Sequence, residues 1–358
     1  MTGKIRVLMA GPDPGANGGV ATVARNYVEG DLASLCELRY VTTMTEGSKA
    51  RKLLVAARAL IEFSRGLGYA DIVHLHLSKG ASYVRKRLLA WLARRAGVPY
   101  VLHLHTGEFD QLFDSASEKK KAEVREFFGA AAAVIALSEE WRDYLAANVC
   151  APGIIKVLHN AVAVPASTSC PVNSTVLFLG RLGSRKSPDV LIRAGAALAE
   201  RHPDLRLVFA GDGDVGRYED LARQLGIDGR CEFLGWVSDE RESLLSSCST
   251  FCLPSKAEGM PMALLEAMAH SMAVVSTPVG GIPQVVADGE NGLLVPAGDD
   301  ASLAGALDGV LSDKDLRIRI GRAARRTVES RFGMEAHLRE LLRIYRKYAL
   351  SGGRRSER

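Results

Sequence analysis

The stretch Thr175-Val-Leu-Phe-Leu-Gly-Arg-Leu-Gly-Ser-Arg-Lys-Ser-Pro-Asp189 decides the fold class. Thr175 to Leu179 form a short apolar run that ends in a glycine turn, and the turn leads into a helical pattern. That is a strand feeding a helix. The turn carries Arg181 and Lys186, two cations beside a helix start, and together they make a clamp for an anion, Arg181 through its planar fork and Lys186 as a point charge.

Several strand–helix units later stands Glu258-Gly-Met-Pro-Met-Ala-Leu-Leu-Glu266. Its two carboxylates straddle a tight turn that opens a helix. Pro261 is placed as the first helical residue, where its missing N–H costs nothing, so the backbone amides of Met262 and Ala263 point outward as an anion site. A ligand with hydroxyls at both ends and negative charge between them fits this layout, as a nucleotide sugar does. Alone, the stretch also reads as a plain helix cap before a core of Leu264, Leu265 and Met268.

The strand–helix alternation extends to both sides. Strands are expected at Ile5–Ala10, Leu38–Val41, Ile72–Leu75, Tyr100–Leu104, Ala133–Ala136 and Ile155–Leu158, with helices near 20–30, 49–66, 82–96, 118–128 and 139–147. The polar, proline-flanked segment Pro165–Pro171 breaks the pattern. Strands then restart at Val176, Leu205–Ala210, Glu232–Leu234, Thr250–Leu253, Ala273–Ser276 and Gly292–Val295. Right-handed crossovers make each half a parallel sheet covered on both faces. The expected organisation is a domain over 1–164, a linker over 165–172, a second domain over 173–333, a C-terminal helix over 334–350 and a disordered tail over 351–358.

At 358 residues and 47% hydrophobic, the chain has material for two α/β cores. It contains no apolar run long enough to span a bilayer, and its start reads as a first strand rather than a leader, so a cytoplasmic protein is expected. Six cysteines without CxxC spacing read as reduced structural thiols. The net charge is only +5, but residues 49–95 hold eleven Lys/Arg against two Asp/Glu, or +9 locally. Few aromatics and no binding module argue against nucleic acid. An anionic bilayer surface or a diphosphate-bearing acceptor fits better, with solvated helix faces as the plain alternative.

Histidines alternate as His74/His76 and His103/His105 on two expected strands, so four imidazoles could in principle meet. No carboxylate has ligand spacing, and no metal site is assigned. His74, His76 and His103 read as buried structural residues. His105 ends its strand before Thr106-Gly107-Glu108, at the carboxyl edge where open sheets bind ligands. Gly211-Asp-Gly-Asp-Val-Gly216 matches a dinucleotide fingerprint, but the ribose-binding acid is misplaced, since Glu232 begins the following strand. The glycines Gly211 and Gly213 are better taken as a tight turn beside a donor nucleotide.

Gly180-Arg181-Leu182 with Lys186, Ala210-Gly-Asp-Gly213, Gly235-Trp-Val237 and Glu258 with Glu266 resemble the donor half of the retaining glycosyltransferases of family 4. Asn17-Gly-Gly19, Asp71-Ile-Val-His-Leu-His76, His105, Ser138-Glu139 and Asn160 follow that family's order in the first half. Each motif is short; their joint order over about 250 residues is specific. The resemblance implies a GT-B fold, with two Rossmann-like domains facing across a cleft and a C-terminal helix returning toward the first. It also implies no obligatory metal or cofactor, transfer with retention of configuration, and a His105 that meets the donor sugar near the reacting carbon.

On this reading Arg181, Lys186 and the amides of Met262 and Ala263 stabilise the leaving diphosphate. Glu258 holds donor sugar hydroxyls and Glu266 the nucleotide ribose. Gly18 and Gly19 let backbone approach the diphosphate, Gly19 being the stronger candidate. The base is contacted by backbone around Val237, with UDP-sugar preferred over GDP-sugar. Met260-Pro261 replaces the family's usual Phe-Gly, so a backbone donor to the sugar is absent, and Asn160-Ala161 replaces Asn-Gly.

Ser78-Lys-Gly-Ala-Ser-Tyr-Val-Arg-Lys-Arg87 resembles a bacterial exopolysaccharide subgroup, and Ser82, Arg85, Lys86 and Glu108 are expected to hold a lipid-linked or saccharide acceptor. The rival readings are a nucleotide-sugar epimerase, which forms product from the donor alone, and a non-catalytic nucleotide-sugar-binding scaffold.

Overall fold

The computed structural model describes residues 4–168, 171, 173–238 and 240–349; the expected tail lies outside them. The chain divides into two compact units. The first comprises residues up to Asn160 together with those from Glu335 onward, and the second is Ala161–Met334.

In the first unit, strands β1 (Arg6–Pro12), β2 (Glu37–Met44), β3 (Ile72–Leu77), β4 (Tyr100–Leu104), β5 (Ala133–Ala136) and β6 (Ile155–Val157) pair in the order β2-β1-β3-β4-β5-β6, all parallel. Between them run α1 (Gly19–Val28), α2 (Leu32–Leu35), α3 (Lys49–Leu67), α4 (Ala81–Arg95), α5 (Phe109–Asp114), α6 (Glu118–Gly129) and α7 (Glu139–Asn148). The strand order reverses between β1 and β3. The loops leaving those two strands therefore diverge at their carboxyl ends, where open α/β sheets take ligands.

In the second unit, β7 (Thr175–Leu179), β8 (Arg206–Ala210), β9 (Cys231–Gly235), β10 (Thr250–Leu253), β11 (Ala273–Ser276) and β12 (Leu293–Leu294) pair in the order β12-β11-β10-β7-β8-β9. Helices α8 (Pro188–Leu198), α9 (Val215–Gln224), α10 (Arg241–Ser247), α11 (Met262–Ala269), α12 (Asp300–Ser312) and α13 (Lys314–Arg331) connect and cover them. Here the reversal falls between β7 and β10. Every residue of β10 and β11 is buried, as continuous apolar strands require when both sheet faces are covered.

The closing helix α14 (Met334–Tyr348) groups with the first unit from Glu335 onward, as the GT-B resemblance implies. It buries His337, Leu338, Leu341, Leu342, Ile344 and Tyr345, one stripe at helical spacing. Ala161 to Val164, expected in the first domain, group with the second unit. Val162 donates its amide to Phe332 O at 3.1 Å and accepts from Met334 N at 3.2 Å, which ties the segment to the end of α13.

Alternation along β3 separates two environments. Val73, Leu75 and Leu77 join the large apolar core with Leu102, Leu104, Phe63, Leu89 and Phe128. His74 and His76 take the opposite positions in the strand's period of two. Their rings meet Tyr27 of α1, and His74 also meets Tyr345 of α14.

Candidate functional site

The second unit builds its site from the loops leaving β7 and β10, the two strands at the reversal. These loops are laced together. Lys256 donates its amide to Arg185 O at 2.8 Å, and Arg185 Nη1 donates to Ala257 O at 2.7 Å. Ser187, between Lys186 and the start of α8, adopts left-handed backbone at φ 50° and ψ 51°, an outlier for a residue with a side chain.

Glu258 is buried and receives three groups: Lys186 Nζ at 2.8 Å, Arg185 Nη1 at 3.0 Å and Ser255 Oγ at 2.8 Å. Burial pushes its carboxyl up, but Lys186 and then Arg185 outweigh that, and the net shift is below the usual carboxylate range. Lys186 is therefore Glu258's counter-ion. Arg181 is exposed and has no ion-pair partner among the described residues, so the open cation of the expected clamp is Arg181.

Helix α11 begins at Met262, with Pro261 as its N-cap at φ −71° and ψ 121°, and not as the first helical residue that the sequence reading made it. Proline has no side-chain oxygen to cap with, so no side chain caps the first turn. Met260, Met262, Ala263 and Val237 are buried. Glu266, one turn in, accepts from Arg241 Nε at 2.9 Å and also from Arg241 Nη2. Its carboxyl is pushed up, because burial exceeds the opposing pull of Arg241.

Gly211 and Gly213 have a packing task. A Cβ on Gly211 would fall 2.0 Å from Gly180 O, and one on Gly213 2.2 Å from Leu182 O. Only glycines let the loop after β8 lie on the loop after β7, where Leu182 N donates to Asp212 O at 2.6 Å and Asp214 N to Leu182 O at 3.1 Å.

In the first unit, Gly18 caps α1 at φ 116°, a region only glycine enters readily, whereas Gly19 is the ordinary first helical residue. The sequence reading favoured Gly19; the backbone singles out Gly18. Asn160 and Ala161 form no left-handed turn, since the positive-φ non-glycine residues described are Ser187 and Ser271.

The acceptor residues part company. Ser82 Oγ accepts from Ser78 N at 3.3 Å, and Glu108 pairs with Lys79. Arg85 is half-buried, and its Nε has no hydrogen-bond partner among the described residues. Lys86, expected to hold the acceptor together with Arg85, is 1% exposed and donates to Thr43 Oγ1. It shares one helical stripe with Leu89, Ala90 and Ala93, all buried, and that spacing is the signal the sequence reading missed. With no carboxylate partner among the described residues, its amine is pushed down to about 7 by burial and then by Arg85.

The four strand histidines do converge, and His337 of α14 joins them. His76 Nδ1 lies 2.9 Å from His105 Nε2, and His103 Nδ1 3.3 Å from His74 Nε2. Tyr345 Oη lies 2.7 Å from His74 Nδ1, and Tyr27 Oη 2.6 Å from His337 Nε2. Burial first, and then the neighbouring imidazoles, push the strand histidines down, His74 and His105 to about 3 and His76 and His103 well below the ordinary value, while burial lowers His337 to about 4. Ring nitrogens of His74, His76 and His103 lie within 4.8 Å of one another, the one such metal-capable group among the described residues.

Residues 172–327 match the family of glycosyl transferases group 1, and residues 7–161 match a glycosyl transferase 4-like domain. A D-inositol 3-phosphate glycosyltransferase of Corynebacterium urealyticum is 30% identical over 324 residues, spanning 80% of this chain and 74% of that protein. A phosphatidyl-myo-inositol mannosyltransferase of Mycobacterium leprae is 31% identical over 299 residues, spanning 80% and 76%. The chain belongs to the group 1 glycosyltransferases. Among solved structures, Anabaena HepE in complex with UDP-glucose superposes with a TM-score of 0.76 at 19% identity, covering 96% of this chain and all of HepE, a likeness of fold. In this glycosyltransferase the partners that sequence reasoning missed are Arg185, Ser255 and Arg241. All three are polar residues in loops or short helices that only the fold brings to the two glutamates.

Proposed function

We propose that this group 1 glycosyltransferase moves a hexosyl unit from a UDP-sugar, in preference to a GDP-sugar, to a hydroxyl of a lipid-diphosphate-linked saccharide. Configuration is retained, no metal takes part, and the product belongs to a bacterial exopolysaccharide or other surface glycan. The observation that carries the reading is the buried Glu258 carboxylate held by Lys186 and Arg185 in the loops at the β7/β10 reversal. A buried acid kept ionised and rigid suits sugar hydroxyls, while exposed Arg181 and the uncapped amides of α11 suit the diphosphate.

As the bond from sugar to diphosphate lengthens, negative charge collects on the leaving oxygens. Arg181 and the Met262 and Ala263 amides stabilise it without reorganising, and Lys186 adds its charge from within its pair with Glu258. Glu266, oriented by Arg241, takes the ribose, and His105 meets the reacting sugar. The leaving phosphate accepts the acceptor's proton. The UDP-glucose bound by HepE, which shares the fold, supports the donor class.

The acceptor is taken by Ser82, Arg85 and Glu108, without Lys86. Support for an anionic membrane face, the cytoplasmic one, comes from α3 and α4. They hold six of the ten exposed large hydrophobics described: Leu53, Leu54, Ile61, Val84, Leu88 and Trp91. Lys49, Arg51, Lys52, Arg58, Arg87, Arg94 and Arg95 interleave with them. Apolar side chains among cations are what an interfacial helix pair presents to a headgroup layer. No described helix is long and apolar enough to cross a membrane.

Thermal-shift screening of a nucleotide-sugar panel tests the donor assignment. A ligand at a hundred times its Kd stabilises by about 2.7 kcal/mol, so UDP-hexoses are expected to raise Tm measurably. Stabilisation by none of the panel, or product formed from donor without acceptor, would reject the transferase reading.

A further inference from the structure

His105 is not free to choose its tautomer. Burial pushes all five clustered imidazoles below their ordinary value, so that near pH 7 each carries one N–H and one bare nitrogen. Across the 2.9 Å contact between His76 Nδ1 and His105 Nε2 one nitrogen donates and the other accepts. The far nitrogen of His76, Nε2, is buried and has no hydrogen-bond partner among the described residues. Orphaned buried N–H groups are rarer than under-satisfied buried acceptors, which assigns the His76 hydrogen to Nδ1, where it is given to His105 Nε2. His105 then accepts at Nε2 and carries its own hydrogen on Nδ1, which makes no hydrogen bond within the described residues.

His76 is itself held in place. Its ring packs 4.6 Å from His74 and 5.6 Å from His103, centroid to centroid, and His74 is bound to Tyr345 of α14. The His105 backbone is fixed too, since its amide donates to Leu77 O at 2.8 Å.

We propose that His76 is a positioning residue that fixes His105 as the Nδ1–H tautomer, so that His105 serves the reacting sugar as a hydrogen-bond donor and never as a base. The inference rests on the assignment of His105 to the sugar made above. Unlike that assignment, it can be read without turnover.

The experiment is a long-range 1H–15N spectrum of histidine-labelled full-length protein, with kinetics on His76→Leu, His76→Asn and His105→Ala. Wild type should show His105 protonated at Nδ1. His76→Leu removes the donor, so the His105 signals should move toward the Nε2–H form. kcat should fall about 10- to 100-fold, the scale on which losing the partner that orients a metal-bound histidine acts, with donor KM little changed. His76→Asn places an amide where Nδ1 stood and should restore both the tautomer and most of kcat. A wild-type His105 protonated at Nε2 would overturn the proposal. So would a His76→Leu variant with unchanged His105 signals, equal kcat losses in the Leu and Asn variants, or one equivalent of metal in the purified protein that His76→Leu removes. If His105→Ala kept full turnover, the assignment of His105 to the sugar would fall, while the spectra would still decide whether His76 sets the tautomer.

Discussion

Replacing Lys186 with Met should reveal how much of the Glu258 pair is structural. The Lys186 side chain is 12% exposed and the Glu258 side chain 7%, so the pair is shielded from solvent. Breaking a buried pair from one side costs about 3–5 kcal/mol, because the remaining charge is left uncompensated. Here Arg185 at 3.0 Å and Ser255 at 2.8 Å stay behind, so the loss should lie below that range, at about 2 kcal/mol. For a unit the size of Ala161–Met334 that is a Tm drop of about 4–8 °C. The loss should depend on pH. In wild type the Glu258 carboxyl is held below its ordinary value of 4.5, so it contributes stability above that pH and loses it as pH falls through the folded value. Without Lys186 the folded value rises, and protonation relieves the variant before it reaches wild type. The stability gap should therefore narrow as pH falls below about 5. Adding Glu258→Gln should recover stability but not transfer. Denaturant melts of wild type, both single variants and the double variant from pH 7.5 to 4 supply the cycle. A gap constant with pH, or a double variant no more stable than Lys186→Met, would show that the two groups are not coupled.

Acid should destabilise the first unit through its imidazoles. With folded values of about 3 for His74 and His105 and about 4 for His337 against an ordinary 6.5, the unfolded chain binds more protons between those limits. Stability is complete above about pH 6.5 and falls as pH is lowered, by up to about 1.4 kcal/mol per pH unit for each histidine; melts that stay flat from pH 6.5 to 5 would refute the neutral cluster. Replacing Leu53, Leu54 and Trp91 with Ser should weaken sedimentation with anionic vesicles without changing donor Kd, whereas unchanged sedimentation would discard α3 and α4 as the membrane face. EDTA should leave initial rates within about twofold, and abolition by chelation with recovery on manganese would contradict metal independence.

The strands were legible because their apolar runs are continuous and end in glycine or polar turns; Tyr100–Leu104, Ala133–Ala136, Thr250–Leu253 and Ala273–Ser276 match residue for residue. The glutamates could be found since both sit at a helix start with an obvious turn. Their partners could not: Arg185 was one cation beside two others, and Arg241 lies 25 residues from Glu266, so only the strand order makes them neighbours. Lys86 was misread by charge when its stripe with Leu89, Ala90 and Ala93 argued burial. The histidine alternation showed which rings share a face, but not that α14 returns to cover them with His337 and Tyr345.

The central claim is that the loops leaving β7 and β10 bind a nucleoside diphosphate sugar, and calorimetric titration of UDP-hexose into wild type, Arg181→Ala and Glu266→Ala tests it most directly. The account predicts one site per chain, with affinity reduced at least about tenfold by Arg181→Ala through loss of the diphosphate cation and likewise by Glu266→Ala through loss of the ribose contact, at about 1.4 kcal/mol per decade. Full wild-type affinity in both variants would contradict it.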